Sequence, residues 1–223
     1  MTSDFWDRIE ALASIIQYKF SSTGTEIAED LSDYDWQNYI YTGGNYRRAH
    51  LQIIDRRDTH RVYIVHATVF PHYNDPSPIF GFDIIAGAGK ITGAFLDYSS
   101  AGDPDHGMIQ WFHKHVANYV WDRVRVLPDW AKAIFSSNML AVGNIRDRQE
   151  LGDFCALSRQ SLDYYLKNIG KTEQSGFDFH MAQNRYCRYQ KQNPHVVRSM
   201  VSMGVPEPQI RYFVDKVMFP EAA

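Results

Sequence analysis

The chain has 223 residues, enough for one large domain with a full core, and a formal net charge of −3, which supplies no global attraction to nucleic acid. Hydrophobic residues make up 44% and charged residues 22%, ordinary for a globular protein, and no apolar run is long enough for a membrane span. Aromatic residues stand out instead: 14 Tyr, 13 Phe and 5 Trp either thicken a core or line a pocket for a flat conjugated ligand.

The opening Met1-Thr2-Ser3-Asp4 leads into an amphipathic stretch rather than a signal peptide. Over residues 4–20, Phe5, Ile9, Leu12, Ile16 and Phe20 fall on one helical face. A polar stretch follows over 21–35 and ends near Trp36. Strands are expected at 38–41, 50–55, 62–70, 79–86 and 91–98, with Gly87-Ala88-Gly89-Lys90 as the hairpin turn joining the last two. Beyond Pro104 the character changes, and helical spacing runs through 107–123, 151–169, 177–190, 195–203 and 207–218, with Gly170 and Gly204 as stops. Consecutive strands flanked by helices predict one α+β domain over 1–223, built on a mainly antiparallel sheet rather than on βαβ units. The only cysteines, Cys155 and Cys187, are too few for a disulfide framework, so a reducing cytoplasm is expected.

Two of these strands carry a titratable group inside an apolar run. His66 lies within Val62-Tyr63-Ile64-Val65-His66-Ala67-Thr68-Val69-Phe70, and Asp83 lies between Phe82 and Ile84. Burying an ionised carboxylate costs several kcal/mol unless it is paired or protonated. If the strands are neighbours, His66 and Asp83 can share protons inside a pocket, as general acid chemistry requires. A lone strand histidine is, by itself, more often a satisfied core residue. Other motifs fail. Gly87-Ala88-Gly89 with Gly93 lacks the dinucleotide spacing, and His113 and His115 point in different directions on a helix. With no CxxC, HExxH or nucleophile elbow, a bound metal, flavin or nicotinamide has no sequence support.

Several short segments, taken in order, carry a resemblance. They are Phe70-Pro71, Pro78-Ile79-Phe80-Gly81-Phe82-Asp83, Ile91-Thr92-Gly93-Ala94-Phe95, Tyr98-Ser99, Leu127-Pro128-Asp129-Trp130, Ile134-Phe135-Ser136, Tyr186-Cys187-Arg188-Tyr189-Gln190-Lys191-Gln192-Asn193 and Val217-Met218-Phe219. Together they resemble the ferredoxin-dependent bilin reductases, which reduce the open-chain tetrapyrrole biliverdin IXα. The resemblance implies a three-layer α/β/α sandwich with no bound cofactor. Reduced ferredoxin would supply single electrons and the pocket would supply protons, through bilin radicals. It assigns the central proton donor to Asp83, and a histidine seventeen residues earlier, here His66, marks the phycocyanobilin-forming lineage.

Two departures follow. Gln52, in His50-Leu51-Gln52-Ile53, occupies the place of that lineage's catalytic glutamate, and Asp55 has the wrong strand parity to replace it. Pro194 stands after Asn193 where many members carry an aspartate. The combination is similar to a phage-associated branch that forms phycoerythrobilin through 15,16-dihydrobiliverdin; phycocyanobilin as product, or a non-catalytic bilin carrier, are the alternatives. Gln52, Asn193, Arg146 and Arg198 are the candidate substrate contacts. Arg185, Arg188 and Lys191 form either a solvated face or a docking surface for acidic ferredoxin. A monomer is expected, in the cytoplasm of a photosynthetic bacterial host if the gene is phage-borne.

Overall fold

The computed structural model describes residues 3–87, 89–171 and 178–222; Met1, Thr2, Ala88 of the expected turn and Phe177 at the start of an expected helix lie outside them. Seven strands form one sheet: β1 (Thr25–Glu26), β2 (Gln37–Thr42), β3 (Arg48–Arg56), β4 (Val62–Phe70), β5 (Ile79–Gly87), β6 (Lys90–Ser99) and β7 (Leu140–Val142). They lie side by side in chain order, and every neighbouring pair is antiparallel. The long strands are rich in Val, Ile, Tyr and Phe, which fit a pleated, buried surface, and alternate residues go to opposite faces.

One face is covered by α1 (Ser3–Thr23), α2 (Gly107–Val116) and α4 (Arg148–Asn168). There Leu51, Val65, Ala67, Phe82, Ile84 and Leu96 join Ile9, Leu12, Ile16, Phe154 and Leu157 in one core. Over the opposite face lie α5 (His180–Gln190), α6 (Pro194–Ser202), α7 (Glu207–Tyr212) and a π-helical segment (Phe213–Met218). Ile54, Ile64 and Phe70 meet Tyr186, Met200, Phe213, Val217 and Phe219 in this second core. The result is the expected three-layer α/β/α sandwich.

Local chemistry sets several boundaries. Asp147 caps α4 by accepting from Gln149 N (2.8 Å) and Glu150 N (3.0 Å), so the helix begins before the expected residue 151. Asn193 caps α6 by accepting from His195 N (3.0 Å), and Pro194 follows in its first turn. Gly170 (φ +76°) and Gly204 (φ +82°) take the left-handed conformation that ends α4 and α6.

Elsewhere tertiary packing overrides the helical spacing. The expected helix over 107–123 stops at Val116, because Val124 bridges to Val142 at the sheet edge and Trp121 packs edge-on against Phe154. The expected helix over 207–218 is α7 followed by the π-helical segment, whose wider turns bring Phe213, Val214, Val217 and Met218 all inward. β1 and β7 are too short for alternation to show in the sequence.

Candidate active site

The register of the meander builds the site. Asn38 stands opposite Gln52, Gln52 opposite His66, His66 opposite Asp83, and Asp83 opposite Phe95. Directly opposed residues have Cβ atoms about 4.5–5.5 Å apart, so Gln52, His66 and Asp83 form one continuous row on the face beneath α5 and α6. A second row runs through His50, Thr68, Gly81 and Asp97. His66 Nδ1 lies 3.5 Å from Asp83 Oδ2; the histidine side chain is 8% exposed and the aspartate 32%.

A cavity of about 480 Å³ opens above these rows, a size typical of small-ligand sites. Gln52, His66, Gly81, Asp83, Phe95 and Asp97 form its floor. The strap between α2 and β7, which contains α3 (Asp129–Lys132), gives one wall through Leu127, Trp130 and Phe135. Tyr186, Met200, Met203, Met218 and Phe219 close the other side. Four of the molecule's seven methionines, Met139, Met200, Met203 and Met218, line it, which gives an adaptable apolar surface.

Polar atoms without hydrogen-bond partners among the described residues gather on this face: Nε2 of His66 and Nε2 of Gln52 in the floor itself, with Nδ1 of His50 and Oγ1 of Thr68 buried beside it. Leaving such a group unpaired costs about 1–3 kcal/mol, so their concentration on one face suits a ligand with both donors and acceptors. His50 shares its Nε2 with Asn38 Oδ1 (3.3 Å), and its ring lies 6.2 Å from that of His66. Burial first, then the neighbouring His66 and Arg48, holds the His50 imidazole well below its usual pKa, so it is neutral at pH 7. Asp97 is fully enclosed and accepts from Ser99 Oγ (2.6 Å), Ser136 N (3.0 Å) and the Ser136 hydroxyl. Burial pushes its pKa up, and the serine donors partly offset that.

The fold thus brings Asp83, His66 and Gln52 together. Asn193 also lines the cavity, although its side-chain oxygen is occupied in capping α6. Arg146 and Arg198 do not reach it. Arg146 is exposed just after the Ile91–Ile145 bridge, and Arg198 is exposed on α6, whose cavity side carries His195, Val196, Ser199 and Met200. The cationic side chain at the wall is Arg125, which donates to Thr92 O and lies 5.5 Å from the centre of the Phe95 ring. Gly143 permits this approach, since a Cβ there would meet Arg125 Nε at 2.6 Å.

The expected docking cations are all engaged within the chain. Arg185 donates to Ala133 O (3.2 Å), Arg188 lies 3.8 Å from Glu221, and Lys191 pairs with Glu221 (2.9 Å) and Asp215 (3.5 Å). His50, Asp97 and Arg125 were not singled out from the sequence. Asp97 offered the same signal as Asp83, a carboxylate between two apolar strand residues (Leu96 and Tyr98), whereas Arg125 sits in a stretch with no periodicity. Among the described residues, no group of three or more His, Cys, Asp or Glu side chains is arranged to hold a metal ion, and no helix is long and apolar enough to cross a membrane.

The model for the ferredoxin-dependent bilin reductase family matches residues 6–220. The phycocyanobilin:ferredoxin oxidoreductase of Synechococcus sp. (strain CC9902) is 28% identical over 186 residues, covering 78% of this chain and 72% of that protein. The solved structure of PcyX aligns with a TM-score of 0.69 at 25% identity, covering 96% of this chain and 99% of that one. Phytochromobilin synthase from tomato in complex with biliverdin aligns with a TM-score of 0.74 at 13% identity, over 92% of this chain and 82% of that one, and shares the fold. A family model that spans nearly the whole chain decides the matter: the protein belongs to the ferredoxin-dependent bilin reductases, oxidoreductases that act on bilins.

Proposed function

We propose that this reductase converts biliverdin IXα to phycoerythrobilin, taking four electrons from ferredoxin and four protons from its pocket, with 15,16-dihydrobiliverdin as the intermediate. Asp83 protonates the bound bilin; the added positive charge makes the conjugated system a better acceptor for each single electron. The resulting bilin radical is quenched by the next electron and proton, and the position of the proton selects the double bond that is reduced. His66, in register with Asp83, shares its proton network and supplies a second titratable group. Arg125 at the wall suits a propionate carboxylate, since a guanidinium binds carboxylates with two parallel hydrogen bonds. Arg185 and Arg188, exposed on α5, form the ferredoxin-facing surface in this reading, while Lys191 is largely neutralised by Glu221 and Asp215.

The observation that carries the product is Gln52. It stands directly opposite His66, at the end of the row away from Asp83, and its amide neither gains nor loses a proton in the working pH range. With no acid at that end, the D-ring vinyl group is left intact. Phycocyanobilin is the competing product, favoured by the activity for which the Synechococcus relative is named. Chromatography of the product made from biliverdin and reduced ferredoxin tests the choice. Phycoerythrobilin is expected from the wild type, and Gln52→Glu should divert only part of the flux to vinyl reduction, because a donor must also lie within hydrogen-bond reach. Phycocyanobilin as the major wild-type product overturns the reading of Gln52.

A further inference from the structure

Asp97 is a buried carboxylate that the proton chemistry above does not use. It lies on β6 opposite Gly81, and it is therefore the diagonal neighbour of Asp83 on the cavity floor. Its environment is built around it. Pairing between β6 and β7 ends at Leu96 opposite Leu140, so at Asp97 the outer edge of β6 has no strand beside it. The chain entering β7 crosses there instead, and the Asp97 side chain takes over the work of the missing ladder. It accepts the backbone N–H of Ser136 (3.0 Å) and the Ser136 hydroxyl, with Ser99 Oγ (2.6 Å) as a further donor.

The Ser136 N–H and the two serine hydroxyls engage both carboxylate oxygens, so the side chain is fixed in place by three bonds. What the bonds hold is the wall. Ser136 directly follows Phe135, whose ring lies 6.2 Å from Trp130 on one side and 6.2 Å from Tyr186 on the other. These three aromatic side chains line the cavity. A shift at Ser136 moves the surface against which a flat conjugated ligand packs.

We propose that Asp97 is a positioning residue: through Ser136 it locks the aromatic wall to the sheet and so sets how tightly the bilin is held. This rests on the bilin-reductase reading of the cavity. The test is biliverdin titration, followed by absorption, of the wild type, Ser136→Ala, Ser136→Thr and Asp97→Asn, together with turnover by reduced ferredoxin at saturating bilin. Loss of the buried hydroxyl hydrogen bond in Ser136→Ala should weaken bilin binding roughly tenfold and broaden the bound absorption band. Turnover at saturation should fall far less. Ser136→Thr, which keeps the hydroxyl, should restore most of the affinity. Asp97→Asn should match Ser136→Ala, and the double variant should be no worse than either single one, because both act through one contact.

Unchanged affinity and spectrum in folded Ser136→Ala overturn the proposal even if Asp97→Asn fails to fold. A hundredfold fall in saturated turnover confined to Asp97→Asn also overturns it, and makes Asp97 a proton donor. Failure of the wild type to bind biliverdin overturns both this proposal and the reading of the cavity on which it rests.

Discussion

The two faces of the sheet are made by the same strands and could hardly be more different. Beneath α1, α2 and α4, the inward residues of β3 to β6 are apolar, as with Leu51, Val65, Ala67, Phe82, Ile84 and Leu96. The two tyrosine hydroxyls that reach this layer are paired, Tyr165 donating to Pro78 O (2.7 Å) and Tyr98 to Ser161 O (2.5 Å), while unpartnered polar atoms such as Ser158 Oγ, Ser161 Oγ and Trp121 Nε1 sit on or against α4 and not on the strands. One residue along each strand, on the other face, stand His50, Gln52, His66, Thr68, Asp83 and Asp97, several with unpartnered atoms. Alternation therefore separates two tasks. One parity contributes the stability of a dry core, and the other parity carries polar groups whose cost that core offsets.

The contrast is sharpest at adjacent residues 82 and 83. Asp83→Asn fills the same volume but cannot act as an acid, so turnover should fall by roughly 10²–10⁴ while bilin binding and thermal stability persist. Normal product formation by this variant would remove the polar face from the chemistry. Phe82→Ala, one residue away, should do the reverse. Phe82 stacks on Phe154 at 5.9 Å within the closed core, and truncation should cost about 3–5 kcal/mol in denaturant unfolding with the chemistry of the folded fraction retained. A near-neutral unfolding midpoint would mean the helical layer is less tightly packed than its burial implies.

A pH titration of stability probes the polar face as a structural liability. His50 is held neutral in the fold, below the value of about 6.5 that it has in the unfolded chain. The unfolded state therefore takes up a proton first as pH drops, so the contribution of His50 is fully present above pH 6.5 and is lost as the pH falls through its native pKa. Unfolding free energies measured downward from pH 7 should decline, and His50→Gln should flatten that slope. An identical slope in the variant would assign the acid sensitivity to other groups.

The smallest effect is expected on the outer surface. Arg188→Glu should raise the ferredoxin concentration needed for half-maximal rate severalfold at low salt, fading near 0.15 M where the screening length is about 8 Å. A ferredoxin dependence that does not respond at low salt would leave Arg188 as a solvated partner of Glu221.

How much of this the sequence disclosed depends on the length of each signal. The strands at 62–70, 79–86 and 91–98 were legible because β-branched and aromatic residues dominate each run between turn residues, and the meander followed from the absence of a helical stretch between them. The pairing of His66 with Asp83 needed only neighbouring strands in register, and in an antiparallel pair joined through residues 71–78 the apolar parity of both strands sets that register. β7 was invisible because Leu140–Val142 is three residues long and owes its existence to the open edge of β6. The cavity walls were hidden for a different reason. Trp130, Tyr186 and Phe219 come from distant parts of the chain, and helical spacing does not say which side of α6 turns inward. That is why Arg198 looked like a substrate contact while His195 and Arg125 went unnoticed.

The strictly sequential strand order has a further consequence, for the route by which the protein folds. Gln52, His66 and Asp83 are aligned by neighbouring hairpins, so the chemical row requires only local loop closures, which carry a small entropic cost. Everything that covers it, from Arg125 to Phe219, is synthesised later. The order of synthesis therefore lets the strands of the floor pair before the roof is made. Damage to the C-terminal helices would then leave an assembled but uncovered row, and a truncated chain retaining the sheet would show native strand protection in hydrogen exchange without a bilin-sized cavity.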